Sequence, residues 1–427
     1  MKHQTSSADT LIVGGGIVAL TLAFKLKKLR PNGSITVLEK EKDLGKHGSG
    51  RNSGVLHTGL YYSKGSLKAL LCSSGSRQMK LYCKDRGIRV SEVGKILVPT
   101  TKIELEQLPI LKERAIANKA EAHIISSREA LDIEPLVNPN VDQVLHCPQS
   151  AVVNPKDILL SLSNDLKEMG IEVCTGEAAI GIDPVKRVCR TDQRSIEYGR
   201  LINCAGMFAD KIAEKFDIGG DYAIAPFKGN YLKLTEDMAN CINGHIYPIP
   251  NIEMPFLGVH FTKTIDQNVY LGPNAFPAMG RENYSGLKGA ELSTMMPLAS
   301  LLTRQYVTDS QGFRKHMHRE LKSLSLNNQL KAIQAMVPKV EKKHLVSATK
   351  VGIRPQLYNK KTKKLEMDFV VKRSDHSVHI LNAISPAFTC SMAFADYIIE
   401  EYIDDNSSNK TLQSSGNRNV ETETEVR

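Results

Sequence analysis

Thr10-Leu11-Ile12-Val13-Gly14-Gly15-Gly16-Ile17-Val18-Ala19 decides the fold: an apolar run, a turn of glycines and the opening of a helix. Val18, Leu20, Ala23, Phe24, Leu26 and Leu29 recur at three-to-four spacing and give that helix one apolar face. Pro31-Asn32-Gly33 ends it, and Ile35 to Leu38 forms a second strand closed by Glu39. Strand, glycine turn, helix, strand and terminal acid, in that order, make a dinucleotide cradle. Gly14-x-Gly16 lets the backbone reach a pyrophosphate at the helix N-terminus, where amides and the helix dipole favour negative charge. Ala19 stands where a third glycine is usual, a packing position that tolerates it, and Glu39 lies near the ~20-residue spacing of the acid that bonds a ribose hydroxyl.

Just downstream, Ser49 to Tyr62 reads S-G-R-N-S-G-V-L-H-T-G-L-Y-Y. Gly50, Gly54, Gly59 and Gly65 let a backbone approach a flat ligand, while Arg51, Asn52, Ser53 and His57 bring polar groups to the same place. His57 is the first candidate for a general base, because an imidazole titrates near neutrality and can take a hydroxyl proton as hydride leaves the adjacent carbon. His260 is the second. Arg354 can hold a carboxylate bidentately, and Lys228 can pair with another. Each also fits a plainer role, His260 as a packed strand residue and Lys228 as a solvated amine.

FAD and NAD share such a cradle. Here the second nucleotide half is separated in sequence: Arg200 to Ala205 runs as a strand into Gly206 and a helix over Ala209 to Phe216, with the small pair Ala205-Gly206 at the turn. The chain then closes with a strand at Val378 to Leu381, a loop at Asn382 to Thr389 and a helix at Cys390 to Tyr402. Such wrapping suits a flavin, and a helix starting near Thr389 can aim its amides at the flavin's pyrimidine edge. An ordinary closing helix has the same pattern.

The 427 residues predict two or three domains of ordinary globular composition. The formal charge of +10 favours anionic partners, such as a polycarboxylate, a phosphate-bearing cofactor, an anionic lipid surface or a nucleic acid. Lys and Arg are spread without interleaved aromatics, which speaks against nucleic acid. The eight cysteines are dispersed, so neither a metal site nor a disulfide framework is indicated, and a reducing cytosol fits. Leu11 to Phe24 is too short to span a bilayer, and Lys25, Lys27, Lys28 and Arg30 follow it where a secretory cleavage site would stand. The few residues before the first strand are read as leaving no room for a transit peptide.

Ser66 to Arg86 and Pro155 to Gly170 are predicted helices, Glu129 to Pro139 is turn-rich, and Gly258 to Thr262 with Asn268 to Leu271 forms a hairpin. Residues 285 to 345 read as mostly helical. The expected fold is α/β with an α+β substrate domain. A discontinuous Rossmann-type FAD-binding domain takes 1–90, 146–215 and 345–403. An antiparallel-sheet substrate or cap domain with helices takes 91–145 and 216–344, and 404–427 forms a disordered tail.

Beyond the cradle, the loop at 49–62 is followed by Gly65-Ser66-Leu67-Lys68-Ala69 and Pro226-Phe227-Lys228-Gly229-x-Tyr231. Further on stand Tyr247-Pro248-Ile249-Pro250, Met254-Pro255-Phe256-Leu257-Gly258-Val259-His260, Gly272-Pro273-Asn274-Ala275 and Asn382-Ala383-x-Ser385-Pro386. Together these resemble the L-2-hydroxyglutarate dehydrogenase/oxidase family, FAD-dependent oxidoreductases related to D-amino-acid oxidase. The resemblance covers about residues 9 to 400. It implies non-covalent FAD, oxidation of (S)-2-hydroxyglutarate to 2-oxoglutarate, and electrons passed to oxygen or, from a peripheral position on a membrane, to a quinone. It places Gly14, Gly16 and Glu39 at the adenosine half, Asn52-Ser53-Gly54 at the flavin, Ser385-Pro386 and Thr389 in the last FAD loop, and His57 facing the substrate. Arg51, where members often have His, and Tyr231 are carried over as substrate-binding residues. Ala19, Ile384 and Phe388 are further departures, and Arg51 and Phe388 bear on substrate choice. The expected location is cytoplasmic, peripheral on the inner face of the cytoplasmic membrane if a quinone accepts the electrons. An amino-acid or amine oxidase of the glycine/sarcosine type shares this fold and is the rival reading. A flavin-containing tRNA-modifying protein is a more distant one.

Overall fold

A computed structural model describes residues 5–250 and 257–404, so the expected tail from 405 onward and the Met254-Pro255-Phe256 motif lie outside the described residues. The fold is α/β, built on two sheets. The first has five parallel strands, in the order Ser377–Asn382, Ser195–Asn203, Thr5–Val13, Ile35–Glu39 and Glu172–Thr175. Antiparallel strands Val188–Thr191, Ala179–Asp183 and Val370–Ser374 extend it. The opening strand starts five residues before the sequence suggests, because Thr5, Ser6 and Ser7 pair with Ser195, Ile196 and Glu197. Polar side chains hid a strand whose register is set by its neighbour.

The helix Ile17–Leu29 is buried along most of its length rather than on one face. It lies against the closing helix Ala387–Ile398 on one side and the helix Pro155–Glu168 on the other, so an apolar surface all round is what packing demands. Thr21, inside this core, donates to the carbonyls of Ile17 at 2.8 Å and Ser391 at 3.1 Å and so carries no unmet hydrogen bond. The helix Leu67–Asp85 begins at Ser66, whose hydroxyl accepts the Ala69 amide, and the Asp368 carboxylate takes the amides of Leu67 and Lys68. Its Gly75 touches the closing helix so closely that a Cβ there would sit 2.7 Å from the Cα of Cys390.

The second sheet has ten strands and is mostly antiparallel. Its centre pairs Tyr222–Leu234 with Leu345–Asn359 over their whole length. One pair departs from the expected antiparallel sheet: His245–Pro248 runs parallel to Lys95–Val98. The expected return to the nucleotide unit at 345 is corrected too, since Leu345–Asn359 belongs to the second sheet and the chain re-enters the first only at Val370. The hairpin Phe261–Lys263 with Val269–Leu271 stands as expected. Within the turn-rich stretch, Ser127–Ile133 is a helix: Ser126 and Glu129 form a reciprocal capping box, a four-residue signature the sequence carries openly. Three helices, Leu292–Thr308, Phe313–Lys322 and Leu326–Met336, cover the second sheet's flank.

Two contacts tie the halves together. Arg281 grips Asp210 with both guanidinium nitrogens at 2.7 Å in a nearly buried pair. Lys40 and His47 each bridge Glu41 to Glu282, and the Lys40 and His47 hydrogen bonds hold the Glu41 carboxyl down at about 2. Among the described residues, no helix is long and apolar enough to cross a membrane.

Candidate active site

A cavity of about 960 Å³, lined from both sheets, runs from the Gly14–Gly16 turn to Tyr231 and Arg354. At the turn, Gly14 has φ +108°, and a Cβ there would lie 2.4 Å from the carbonyl oxygen of Cys204. Only glycine fits. Glu39 accepts the Gly15 amide at 2.9 Å and the Glu41 amide at 2.9 Å, which fixes its carboxylate at the cavity wall. The Ser49 hydroxyl accepts the Ile17 amide at 2.9 Å, placing an oxygen where a helix N-terminus would otherwise take a phosphate oxygen. Ser49 opens the loop singled out in the sequence, yet nothing local announced that its side chain reaches the first helix. Ala205 and Gly206 line the opposite wall, the Ala205 amide bound to the Asn203 side chain at 3.2 Å.

Asn52 and Ser53 line the cavity, whereas Gly54 turns the backbone against the Val153 carbonyl, outside the lining. Asn52 braces this loop from within, donating to the Ser49 carbonyl at 2.7 Å and accepting the Gly54 amide at 2.8 Å. Ser385, Pro386 and Thr389 face the loop from the closing segment. The Thr389 hydroxyl donates to the Val55 carbonyl and accepts the His57 amide, both at 3.2 Å, so the first turn of the closing helix is fastened to the strand that presents His57.

At the far end two imidazoles meet two cations and four phenols. Burial, then the charge of Lys95, holds His57 well below the ordinary histidine range; burial pushes His260 down to about 4. Both rings are therefore neutral at pH 7 and able to accept a proton. His260 keeps its Nδ1 proton on the Gly258 carbonyl at 2.8 Å and lies 4.2 Å from the Tyr247 ring. His57 Nδ1 stands 3.4 Å from the Lys95 amine. Arg354 and Lys68 line the same end; burial, then the neighbouring Arg354 charge, brings Lys68 down to about 8. Tyr61, Tyr62, Tyr231 and Tyr247 complete the wall, with burial pushing Tyr61 and Tyr231 up to about 12, so these two phenols stay protonated donors.

One expected substrate contact is not where the sequence put it. Phe227, Gly229 and Tyr231 line the cavity, so strand alternation turns Lys228 to the other face, where its amine donates to Asn283 at 3.0 Å. Arg51 lines the cavity, where its guanidinium lies 4.1 Å from the Tyr284 ring centre and donates to the carbonyls of Lys46 and Val351. The cation that sequence reasoning passed over is Lys68, only 6% exposed in the first turn of a helix. A lysine between Leu67 and Ala69-Leu70-Leu71 reads as a solvated position unless the Asp368 cap and the Tyr62 side are known.

The cradle, the close Gly14 contact and the volume of the cavity fit an FAD. The family model of FAD dependent oxidoreductases matches residues 9–401. The chain belongs to that family. The L-2-hydroxyglutarate dehydrogenase of Escherichia coli strain K12 is 32% identical over 398 residues, covering 92% of this chain and 92% of that protein. The human mitochondrial L-2-hydroxyglutarate dehydrogenase is 33% identical over 419 residues, covering 93% and 89%. Among solved structures, dithionite-reduced L-α-glycerophosphate oxidase of Mycoplasma pneumoniae with FAD bound shares the fold at a TM-score of 0.73 and 22% identity, over 92% of this chain and 94% of that one. Glycine oxidase of Geobacillus kaustophilus shares it at 0.69 and 15%, over 93% and 94%. The protein is an FAD-dependent oxidoreductase.

Proposed function

We propose that this enzyme oxidises (S)-2-hydroxyglutarate to 2-oxoglutarate, with His57 as the base. The observation that carries the reading is the pairing of Arg354 with Lys68: two buried cations at the end of the cavity that also holds His57 and His260. Asp368 stands near Lys68, and a substrate with two carboxylates would give each cation a charge-assisted contact. The names of the relatives, across nine-tenths of the chain, support the same substrate. A zwitterionic amino acid would bring an ammonium into a site already rich in positive charge.

The bound flavin supplies the oxidant, accepting a hydride from the hydroxyl-bearing carbon. Gly14, Gly16, Glu39 and Ala205-Gly206 would hold its nucleotide half, and the 52–54 loop with Ser385, Pro386 and Thr389 its ring half. Arg354 and Lys68 fix the two carboxylates, and Tyr231 donates to one of them. This orientation brings the hydroxyl to the His57 imidazole, which takes its proton as the carbonyl forms. His260, neutral and set by Gly258, offers its Nε2 as an acceptor that fixes the hydroxyl's direction.

Anaerobic mixing tests the reading. (S)-2-hydroxyglutarate is expected to bleach the flavin absorbance, while the R enantiomer, glycine, sarcosine and proline leave it oxidised. Bleaching by the amines and not by the hydroxy acid would replace this reading with an amine oxidase.

A further inference from the structure

Lys95 is a lysine in an otherwise apolar strand, and among the described residues it is one of the largest fully buried side chains, 2% exposed. Its register explains where the amine goes: Lys95 pairs with Cys147 on one neighbour and His245 on the other, so all three point to one face of the second sheet. Tyr247 lies on that face two residues beyond His245, and its ring centre is 4.5 Å from the Lys95 amine. His260 packs on Tyr247 from the hairpin, Cys72 approaches from the helix Leu67–Asp85, and His57 closes the group with Nδ1 at 3.4 Å. Among the described residues, the charged and titratable groups that act on this amine include no carboxylate.

A buried ammonium among three imidazoles, with no counter-charge among the described residues, is the costly form, whereas an amine has a lone pair to offer. Burial brings Lys95 down to about 8. An amine lone pair can accept from an imidazole N–H, and this settles which nitrogen of His57 is left as a base. Lys95 is absent from the cavity lining and His57 is part of it, so the Nδ1 side faces the lysine and Nε2 is left for the cavity.

We propose that Lys95 is the positioning residue of the proton path: its uncharged amine accepts the His57 Nδ1–H, leaves Nε2 as the base, and receives the proton during turnover. This rests on the reading of His57 as base. In the oxidation, the C–H bond of the carbinol breaks with its electron pair passing to the flavin, and the O–H bond breaks with its proton passing to His57 Nε2. The carbonyl forms from the oxygen's electron pair. The Nδ1–H proton moves to Lys95 Nζ, and the ammonium so formed lies by the Tyr247 ring, whose face favours a cation. An imidazole paired with an amine is thus relieved of its charge, whereas one paired with a carboxylate would keep it.

The test uses the FAD-loaded enzyme and two readouts. Long-range ¹H–¹⁵N spectra of histidine-labelled protein report the His57 tautomer, assigned by its loss in His57→Gln. Above the amine's value of about 8, the expected result is Nδ1–H in the resting enzyme, changing tautomer in Lys95→Met. An Nε2–H tautomer persisting above that pH, with Lys95 as donor, would overturn the proposal, and this measurement on the unsubstituted enzyme needs no variant of Lys95 to fold. The second readout is the anaerobic flavin-reduction rate against pH. It is expected to rise through about 8 as Lys95 loses its proton. Lys95→Met is expected to keep its FAD and its KM within about threefold and to reduce about a hundredfold more slowly, in the range set by lost acid–base assistance, with the limb near pH 8 gone. A slow Lys95→Met that retains that limb would mean Lys95 is only structural. If (S)-2-hydroxyglutarate fails to reduce the enzyme at any pH, the substrate reading fails, while the tautomer still decides the role of Lys95.

Discussion

The two ends of the cavity are made in different ways. The nucleotide end is backbone: the Gly14–Gly16 turn and the helix start at Ile17 line it, and an acid, Glu39, sits on the adjoining strand. The reacting end is side chain, gathered from six separate segments: His57, Lys68, Lys95, Tyr247, His260 and Arg354 come from loop, helix and four strands or strand ends. A backbone site is local, because glycine positions and helix caps act on the residues beside them. A side-chain site exists only after the second sheet has folded over the first. Substitutions at the two ends should therefore fail differently, one in holding FAD and the other in chemistry with FAD still bound.

The largest expected effect is at the reacting end. His57→Ala should retain its flavin spectrum yet lose roughly 10²- to 10⁴-fold in anaerobic reduction rate, the range of a lost general base; a rate near the parent's would remove His57 from that role. His260→Ala should lose less. At the other end, Gly14→Ala forces a Cβ to 2.4 Å from the Cys204 carbonyl, at a backbone angle that side chains rarely adopt. The expected outcome is protein purified largely without FAD, measured by flavin-to-protein ratio. Full flavin content would show that the turn relaxes and that the contrast between the ends is overdrawn.

Lys68→Met should raise KM for (S)-2-hydroxyglutarate by roughly ten- to a hundredfold, the equivalent of about 1.5–3 kcal/mol for a charge-assisted hydrogen bond. The same residue gives a pH signature. Its amine stands at about 8 without ligand, and a bound carboxylate must raise it. Below pH 8 the amine is protonated with or without ligand and affinity is full; above it, binding must take up a proton. Inhibition by 2-oxoglutarate should therefore weaken by up to tenfold per pH unit above about 8, and Lys68→Met should abolish that slope. The smallest effect is expected at Lys228, whose amine serves Asn283 away from the cavity. Lys228→Ala should leave KM within about twofold, because removing a partly exposed hydrogen bond at a distance costs little.

The same contrast explains what the sequence made legible. The cradle, Glu39, the 49–62 loop, the hairpin and the closing helix were all readable because each is a contiguous pattern with a local physical cause. Lys228 was misplaced because a strand residue's face depends on register, and Pro226-Phe227-Lys228-Gly229 does not say which alternate residues meet the cavity. The packing of Arg51 on Tyr284 was not legible because that partner is more than two hundred residues away. Lys68 and Lys95 were passed over for the opposite reason: a lysine in an apolar context reads as a side chain that escapes to water. In the fold, no route to water remains for Lys95, which is 2% exposed, and little for Lys68.

The central claim is that two buried cations select a substrate with two carboxylates while His57 takes its proton. It is tested most directly by anaerobic stopped-flow reduction of the flavin with (S)-2-hydroxyglutarate and with (S)-2-hydroxybutyrate, which lacks the distal carboxylate, in the parent enzyme and in Lys68→Met. The account predicts a preference of at least about fiftyfold in reduction efficiency for the dicarboxylate, within the worth of one charge-assisted contact, falling to a few-fold in Lys68→Met. Equal efficiency for the two acids in the parent enzyme, or a preference untouched by Lys68→Met, would contradict it.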